Sequence, residues 1–371
     1  MVDDRCIHSS DYRKEGALLS LPPQVSSRVM SITHNIRVCP RKLARKEKDR
    51  DTLLFQDGEY PDVYFTKAWY FGNNLYGIER TLKSYARYSS PIKAPVEHGL
   101  YFGSYVREDE TTGSRCPVLL TFGPQRRRHI TEKTNTPVLE IGPYIHYASD
   151  FLYQDEIAEL KKKLGRTLLV FPAHSTAIDV RFNYEKLFQA VRKIEKQYDI
   201  DSTFYCLYFH DINLGKAKYF TEKGKSVVCA GHRFDPLFLS KLKSLIQMSD
   251  ITASNGVGTH IGYCEYLHKP HIFVDMEMET RGEAKENGQD YKLSQEKEMK
   301  EVKSAFLTMP GTAIRRQVCE KYWGFSSVRS SAFLETALGE IELAYRAMHK
   351  ERLCPQEAIE EYCHLLSPLV I

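Results

Sequence analysis

From Thr167 to Asp275 the chain alternates between short apolar runs and helix-like segments. The runs are TLLVF (Thr167–Phe171), STFYCLYF (Ser202–Phe209), SVVCA (Ser226–Ala230), ITA (Ile251–Ala253) and HIFVD (His271–Asp275). Between them lie amphipathic stretches such as NYEKLFQAVRKIEKQY (Asn183–Tyr198), with Leu187, Ala190, Val191 and Ile194 on one side. Apolar runs buried on both faces and joined by helices belong to a doubly wound parallel sheet. Few other folds accept this pattern.

Ligands of such sheets gather beyond the carboxyl ends of the strands. Here those ends carry His174-Ser175-Thr176, His210-Asp211, Gly231-His232-Arg233 and Ser254-Asn255-Gly256-Val257-Gly258-Thr259-His260. Folding alone does not require histidines and an arginine along one edge. An anionic, hydrogen-bonding ligand does: Arg233 can grip a phosphate with two N–H groups, and His174, His232 and His260 can donate. The last turn opens a helix, where backbone N–H groups and the helix dipole favour an anion. Gly256 and Gly258 let the backbone approach a ligand, and Ser254, Asn255 and Thr259 add donors. The rival reading of each residue is a solvated strand end or a capped helix with no ligand.

Upstream, three apolar runs each stop at a glycine: VEHG (Val96–Gly99), PVLLTFG (Pro117–Gly123) and PVLEIG (Pro137–Gly142). They predict a first α/β unit, poor in strands. If it faces the second unit, its turns line the opposite wall of a cleft. Glu97 or His98 is then the candidate general base for an acceptor hydroxyl. Arg126, Tyr144 and His146 become acceptor-side candidates. A hydrogen-bonded turn and a solvated basic face are the alternatives. The expected organisation is 1–152 as the first unit, 153–330 as the second, and 331–371 as helices packing back across both.

The 371 residues carry a net charge of +4, too little to point to nucleic acid. Nine cysteines show no C-x-x-C spacing, so neither a zinc site nor a disulfide framework is expected, and reduced thiols suggest the cytoplasm. No apolar stretch reaches the roughly 18–20 residues that span a bilayer, and Met1–Gly16 has no secretory pattern. The basic runs Arg41–Arg50 and Arg126–Arg128 suggest peripheral contact with a membrane surface or a polyanionic acceptor. Asp275, Glu277 and Glu279 alternate and could hold a divalent metal from one strand face. The sequence contains no G-x-G-x-x-G, P-loop, H-E-x-x-H or G-x-S-x-G motif.

Two stretches, FPAHST (Phe171–Thr176) and SDITASNGVGTHIGYCEYLHKPHIF (Ser249–Phe273), resemble the donor-binding domain of GT-B glycosyltransferases. The VEHG, GPQRRR and GPYIHYA turns are similar to first-domain turns of the bacterial enzymes that build capsule, O-antigen and related surface polysaccharides. The resemblance implies two Rossmann-like domains facing a cleft and a UDP- or CMP-linked sugar donor. It also implies no cofactor and no essential metal, against the Asp275–Glu279 reading, and a glycan or lipid-linked acceptor. The Ser254–His260 turn would hold the donor phosphate, with His174, Ser175 and Thr176 near the nucleotide and Glu97 or His98 as the base. Phe273 stands where a second glutamate would follow Glu265 in retaining members, so inversion is favoured. A nucleotide-sugar 2-epimerase, a CDP-polyol phosphotransferase and a non-catalytic nucleotide-sugar binder are the rival functions.

Overall fold

The computed structural model describes residues 68–107, 116–175, 179–281, 289–308 and 310–370. Thr176 and the Arg41–Arg50 run lie outside the described residues. A 3-10 turn (Phe71–Gly77) leads into α1 (Ile78–Ala86). Then come β1 (Leu119–Thr121), α2 (Pro124–Thr131), β2 (Val138–Glu140) and α3 (Gln154–Leu164). The regular alternation follows: β3 (Thr167–Phe171), β4 (Asp179–Phe182), α4 (Tyr184–Gln197), β5 (Ser202–Cys206), α5 (Phe209–Asn213), α6 (Lys216–Thr221), β6 (Ser226–Val228), α7 (Phe238–Met248), β7 (Ile251–Ser254), α8 (Thr259–Tyr266) and β8 (His271–Phe273). The rest is β9 (Met278–Arg281), α9 (Gln289–Phe306), α10 (Ala313–Trp323), α11 (Ser331–Glu351), α12 (Pro355–Tyr362) and α13 (Ser367–Val370).

The main sheet has five parallel strands in the order β6-β5-β3-β7-β8. In order of entry that is 3-2-1-4-5, the doubly wound arrangement, and the order reverses between β3 and β7. The sequence explains the two-faced burial. Along β3, Leu168 and Val170 join the cluster under α4 and α6, while Leu169 and Phe171 join the larger core on the other face. Along β5, Tyr205 goes one way and Phe204 and Cys206 the other. Side chains that alternate with period two but are apolar on both sides need helices on both sides. α4 supplies one, through Leu187, Phe188, Val191 and Ile194, and Asn183 caps it by accepting the Lys186 N–H.

The upstream unit is small. β1 and β2 pair in parallel, and Val96 bridges Leu120 beside them. The expected boundary near residue 152 does not divide the core. One cluster runs from Ile78 and Val96 through Leu152 and Ile157 to Leu169, Ile261, Trp323 and Ile341. α11 packs on α1, with Ser331 Oγ donating to the Tyr85 carbonyl. The densely charged α9 buries Glu298, Val302, Ala305 and Phe306 on one side. Its charges fill the remaining face, as in any amphipathic helix. Trp323 lies against the main-sheet helix α8: its indole N–H donates to the Thr259 carbonyl, and a Cβ on Gly262 would overlap the ring.

Candidate functional site

The site expected of this topology lies where the strand order reverses, between the turns after β3 and β7. Asn255 joins these turns. It is fully buried, its Oδ1 accepts the Ala173 N–H at 2.7 Å, and its Nδ2 lies 3.2 Å from the Met276 sulfur. A Cβ on Gly256 would sit 3.1 Å from the Ala173 Cβ, so the glycine permits the close approach of the two turns. Ser254 is buried as well. Its hydroxyl donates to the Gly256 carbonyl (3.0 Å) and pairs with His271 Nε2 (3.0 Å). Ser254 and Asn255, expected as ligand donors, are therefore the frame of the turn.

The frame continues inward. His271 Nδ1 pairs with the Thr252 hydroxyl at 2.8 Å. Arg315 of α10 donates 2.8 Å bonds to the His271 carbonyl and to Glu265, whose carboxylate also accepts the His271 N–H. Burial, with His260 and Arg315 nearby, drives the His271 pKa well down, so the ring is neutral. Each ring nitrogen meets a hydroxyl, which can act as donor or acceptor.

The turn after β7 runs into the start of α8. No side chain caps it, and the first N–H groups of a helix have no partner within the helix. Gly258, at the N-cap, is extended with φ −167°. The ring of His260 stacks on Phe171 at 4.8 Å, and its buried Nε2 has no hydrogen-bond partner. Burial, reinforced by His174, lowers its pKa to about 3. A neutral imidazole there can offer one N–H without adding charge. His174 is exposed and packs against Tyr208. Thr259 is already engaged, because its hydroxyl accepts the Leu100 N–H at 3.0 Å. That bond sets the VEHG turn directly over the start of α8.

Near the turn after β3 lie groups that the sequence reading missed. Lys216 is 2.8 Å from Asp211, and its ammonium donates to the Ser175 hydroxyl at 2.7 Å. Asp211 in turn accepts the Ser175 N–H. Ser175 is fully buried in this bridge, which corrects its reading as a nucleotide contact. Lys216 was hidden by its place inside a short helix rather than at a strand end. Tyr76, from the 3-10 turn, shares a 3.2 Å bond with Tyr208, and its N–H donates to the Arg233 carbonyl.

Several other expectations are corrected. His232 is 1% exposed, its Nδ1 accepts the Phe234 N–H, and its ring packs 4.1 Å from Phe209. Burial lowers its pKa to about 3, and at this burial the ring belongs to the core. Arg233 is partly exposed, with its guanidinium over the Phe234 ring. Glu97 and Arg126 are each other's partners. They meet through bonds of 2.5 and 3.0 Å, the Thr121 hydroxyl donates to Glu97, and Arg126 also holds the Gly103 and Tyr105 carbonyls. Both are at most 1% exposed. A carboxylate so committed is not placed to take a substrate proton, and a guanidinium so enclosed does not reach an acceptor. Tyr144 is stacked in the core on Phe122 at 4.1 Å. His146 uses both ring nitrogens, on Tyr266 (2.6 Å) and Tyr85 (3.2 Å). Only His98, partly exposed and paired with the Tyr101 hydroxyl, stays at the wall above α8. A Cβ on its neighbour Gly99 would lie 3.8 Å from the Thr259 hydroxyl.

Glu279 lies on the antiparallel β4–β9 ribbon, and Asp275 is exposed, 3.8 Å from Lys303. Among the described residues, no three His, Cys, Asp or Glu side chains converge as a metal site needs. Nor is any helix among them long and apolar enough to cross a membrane.

The chain matches no protein-family model, and no curated protein matches its sequence. Among solved structures it is similar to a UDP co-structure of S. aureus MnaA, at 13% identity over 71% of this chain and 68% of that one, with a TM-score of 0.35. It is also similar to UGT89C1 of Arabidopsis thaliana, at 10% identity over 69% of this chain and 60% of that one, with a TM-score of 0.31.

Proposed function

We propose that the chain is a nucleotide-sugar-dependent glycosyltransferase of GT-B type that holds its donor at the β3/β7 reversal. The observation that carries this is the uncapped start of α8, set at the reversal point and flanked by His260 with its unpartnered buried Nε2. Backbone N–H groups and a neutral ring N–H suit a diphosphate, and the helix dipole adds to the attraction. Gly258, Thr259 and His260 are the phosphate contacts in this reading. His174 and Arg233 stand at the rim for the remaining polar groups of the nucleotide. The donor is UDP- or CMP-linked, and no metal or cofactor takes part.

In the transfer, an acceptor hydroxyl attacks the anomeric carbon from the face opposite the leaving phosphate. The bond from that carbon to the phosphate oxygen breaks, and the nucleotide leaves with the electron pair. The acceptor proton passes to His98, the base in this reading, because Glu97 is sealed into its pair with Arg126. The acceptor is a surface glycan or its lipid-linked precursor, and the protein works in the cytoplasm at the membrane face. The likeness of the VEHG, GPQRRR and GPYIHYA turns to those of the surface-polysaccharide enzymes supports that assignment.

One observation favours a rival. With Glu97 occupied, the acceptor wall retains a single candidate base, so a non-catalytic nucleotide-sugar binder needs only the α8 crevice. A thermal-shift screen against UDP, CDP, CMP and GDP tests binding. A ligand at 100 times its Kd adds about 2.7 kcal/mol. With roughly 2.1 cal/mol/K of unfolding entropy per residue over 371 residues, Tm rises by about 3–4 °C. No shift with any nucleotide overturns the donor site. A shift without sugar release or transfer, and unchanged by His98→Ala, leaves the binder.

A further inference from the structure

A cleft of about 570 Å³ lies between α1 with its preceding turn and the loop at Phe234–Pro236 that follows β6. The turn and the loop are clamped together beneath it. The Tyr76 N–H donates to the Arg233 carbonyl, and Gly77, at φ +68°, touches Pro236 so closely that any Cβ would overlap its carbonyl. Arg80, Lys83 and Arg87 line the cleft. At spacings of three and four they share one face of the helix and its end. Glu79 is the one carboxylate among the lining residues. It is 8% exposed, its Oε1 lies 4.0 Å from Lys83 and takes a long 3.4 Å bond from the Ile92 N–H, and its Oε2 has no partner. Burial raises its pKa, against the lowering effects of Lys83, the Ile92 N–H, Lys93 and the Asn73 side chain.

Three cations and one carboxylate in the lining leave an excess of positive charge at the cleft. A buried carboxylate oxygen without a donor is costly unless something fills it. A bare inorganic anion would satisfy the cations, but it would leave Glu79 unmatched and most of the space empty. An uncharged sugar would do the reverse. The volume lies within the usual range for a small-molecule site, roughly 300–1,000 Å³.

We propose that this cleft is a second binding site, for a small phosphorylated sugar or polyol, in which Arg80, Lys83 and Arg87 hold the phosphate and Glu79 Oε2 accepts a hydroxyl. This inference stands independently of the nucleotide reading at the strand edge. The test is isothermal titration of the full chain with ribose 5-phosphate, inorganic phosphate and ribose, each with and without saturating UDP. The site requires saturable binding of ribose 5-phosphate that UDP does not displace, weaker binding of phosphate, and none of ribose. Arg80→Ala with Lys83→Ala, at half-exposed or exposed positions, lowers the affinity by about tenfold or more, since each removes a charged hydrogen bond. Glu79→Gln weakens ribose 5-phosphate more than phosphate. The proposal is overturned by absent saturable binding, by an affinity indifferent to the Arg80/Lys83 pair, or by competition with UDP, which would return the ligand to the strand edge.

Discussion

Replacing Glu97 with Gln separates a structural carboxylate from a catalytic one. The Glu97–Arg126 pair is closed to solvent on both sides, with Thr121 and two backbone carbonyls completing its hydrogen bonds. Removing one charge strands the other, and breaking a buried pair this way costs about 3–5 kcal/mol. Against an unfolding entropy of roughly 0.8 kcal/mol/K, from 371 residues at about 2.1 cal/mol/K each, Tm should fall by about 4–6 °C. Arg126→Met should cost a similar amount. The double variant Glu97→Gln, Arg126→Met should recover much of the loss, because neither side is left with an uncompensated charge. Differential scanning calorimetry gives the three values, and sugar release from UDP-linked donors gives the activity. Large, strongly non-additive Tm losses should accompany near-normal turnover in whatever folds at the assay temperature. A Tm unchanged by Glu97→Gln together with abolished turnover would refute the structural role and restore Glu97 as the base.

Four further outcomes follow from the same contacts. Asn255→Ala should lower stability by about 1–3 kcal/mol, since it strands the Ala173 N–H, and should weaken nucleotide binding; chemical denaturation and a UDP titration check both. Gly262→Ala should cost about 1–3 kcal/mol by overpacking against Trp323, and an unchanged melting curve would contradict that contact. Gly258→Val should abolish the UDP-induced shift while sparing the fold, because φ −167° suits any residue but the new side chain crowds His260; retained affinity contradicts the phosphate turn. For pH, His232 and His260 have folded pKa values of about 3, below the unfolded value. The unfolded chain then binds more protons, so their contribution is complete above pH ~6.5 and is lost as pH falls from there toward 3. Melting curves from pH 7 to 5 should show that decline, and His232→Asn should flatten it.

Much of the main sheet is legible in the sequence because its signal is local. Alternating apolar runs such as TLLVF carry the period of a strand, and Leu187, Val191 and Ile194 carry that of a helix. The strand order is not local, yet β-α alternation with right-handed crossovers admits few orders. The polar strand ends were equally visible as residue types. Their roles were not, because a role depends on partners distant in the chain. Glu97 meets Arg126 and Thr121 across 24 to 29 residues, Ser254 meets His271 across 17, and Thr259 meets Leu100 across 159. Sequence position puts Ser254 and Asn255 in the turn after β7, but only their hydrogen bonds distinguish a frame from a ligand contact. The buried side of α9 is hidden in the sequence for a similar reason: its few apolar residues are outnumbered by lysine and glutamate, and Glu298 is itself buried on His129.

Hydrogen–deuterium exchange of the full chain with and without UDP tests the central claim most directly. A donor held at the β3/β7 reversal should slow exchange in peptides covering Ala173–Ser175 and Asn255–His260, where the uncapped amides of α8 lie, and leave α1 and α12 unchanged. Protection confined to other segments, or none at a UDP concentration that shifts Tm, would contradict it.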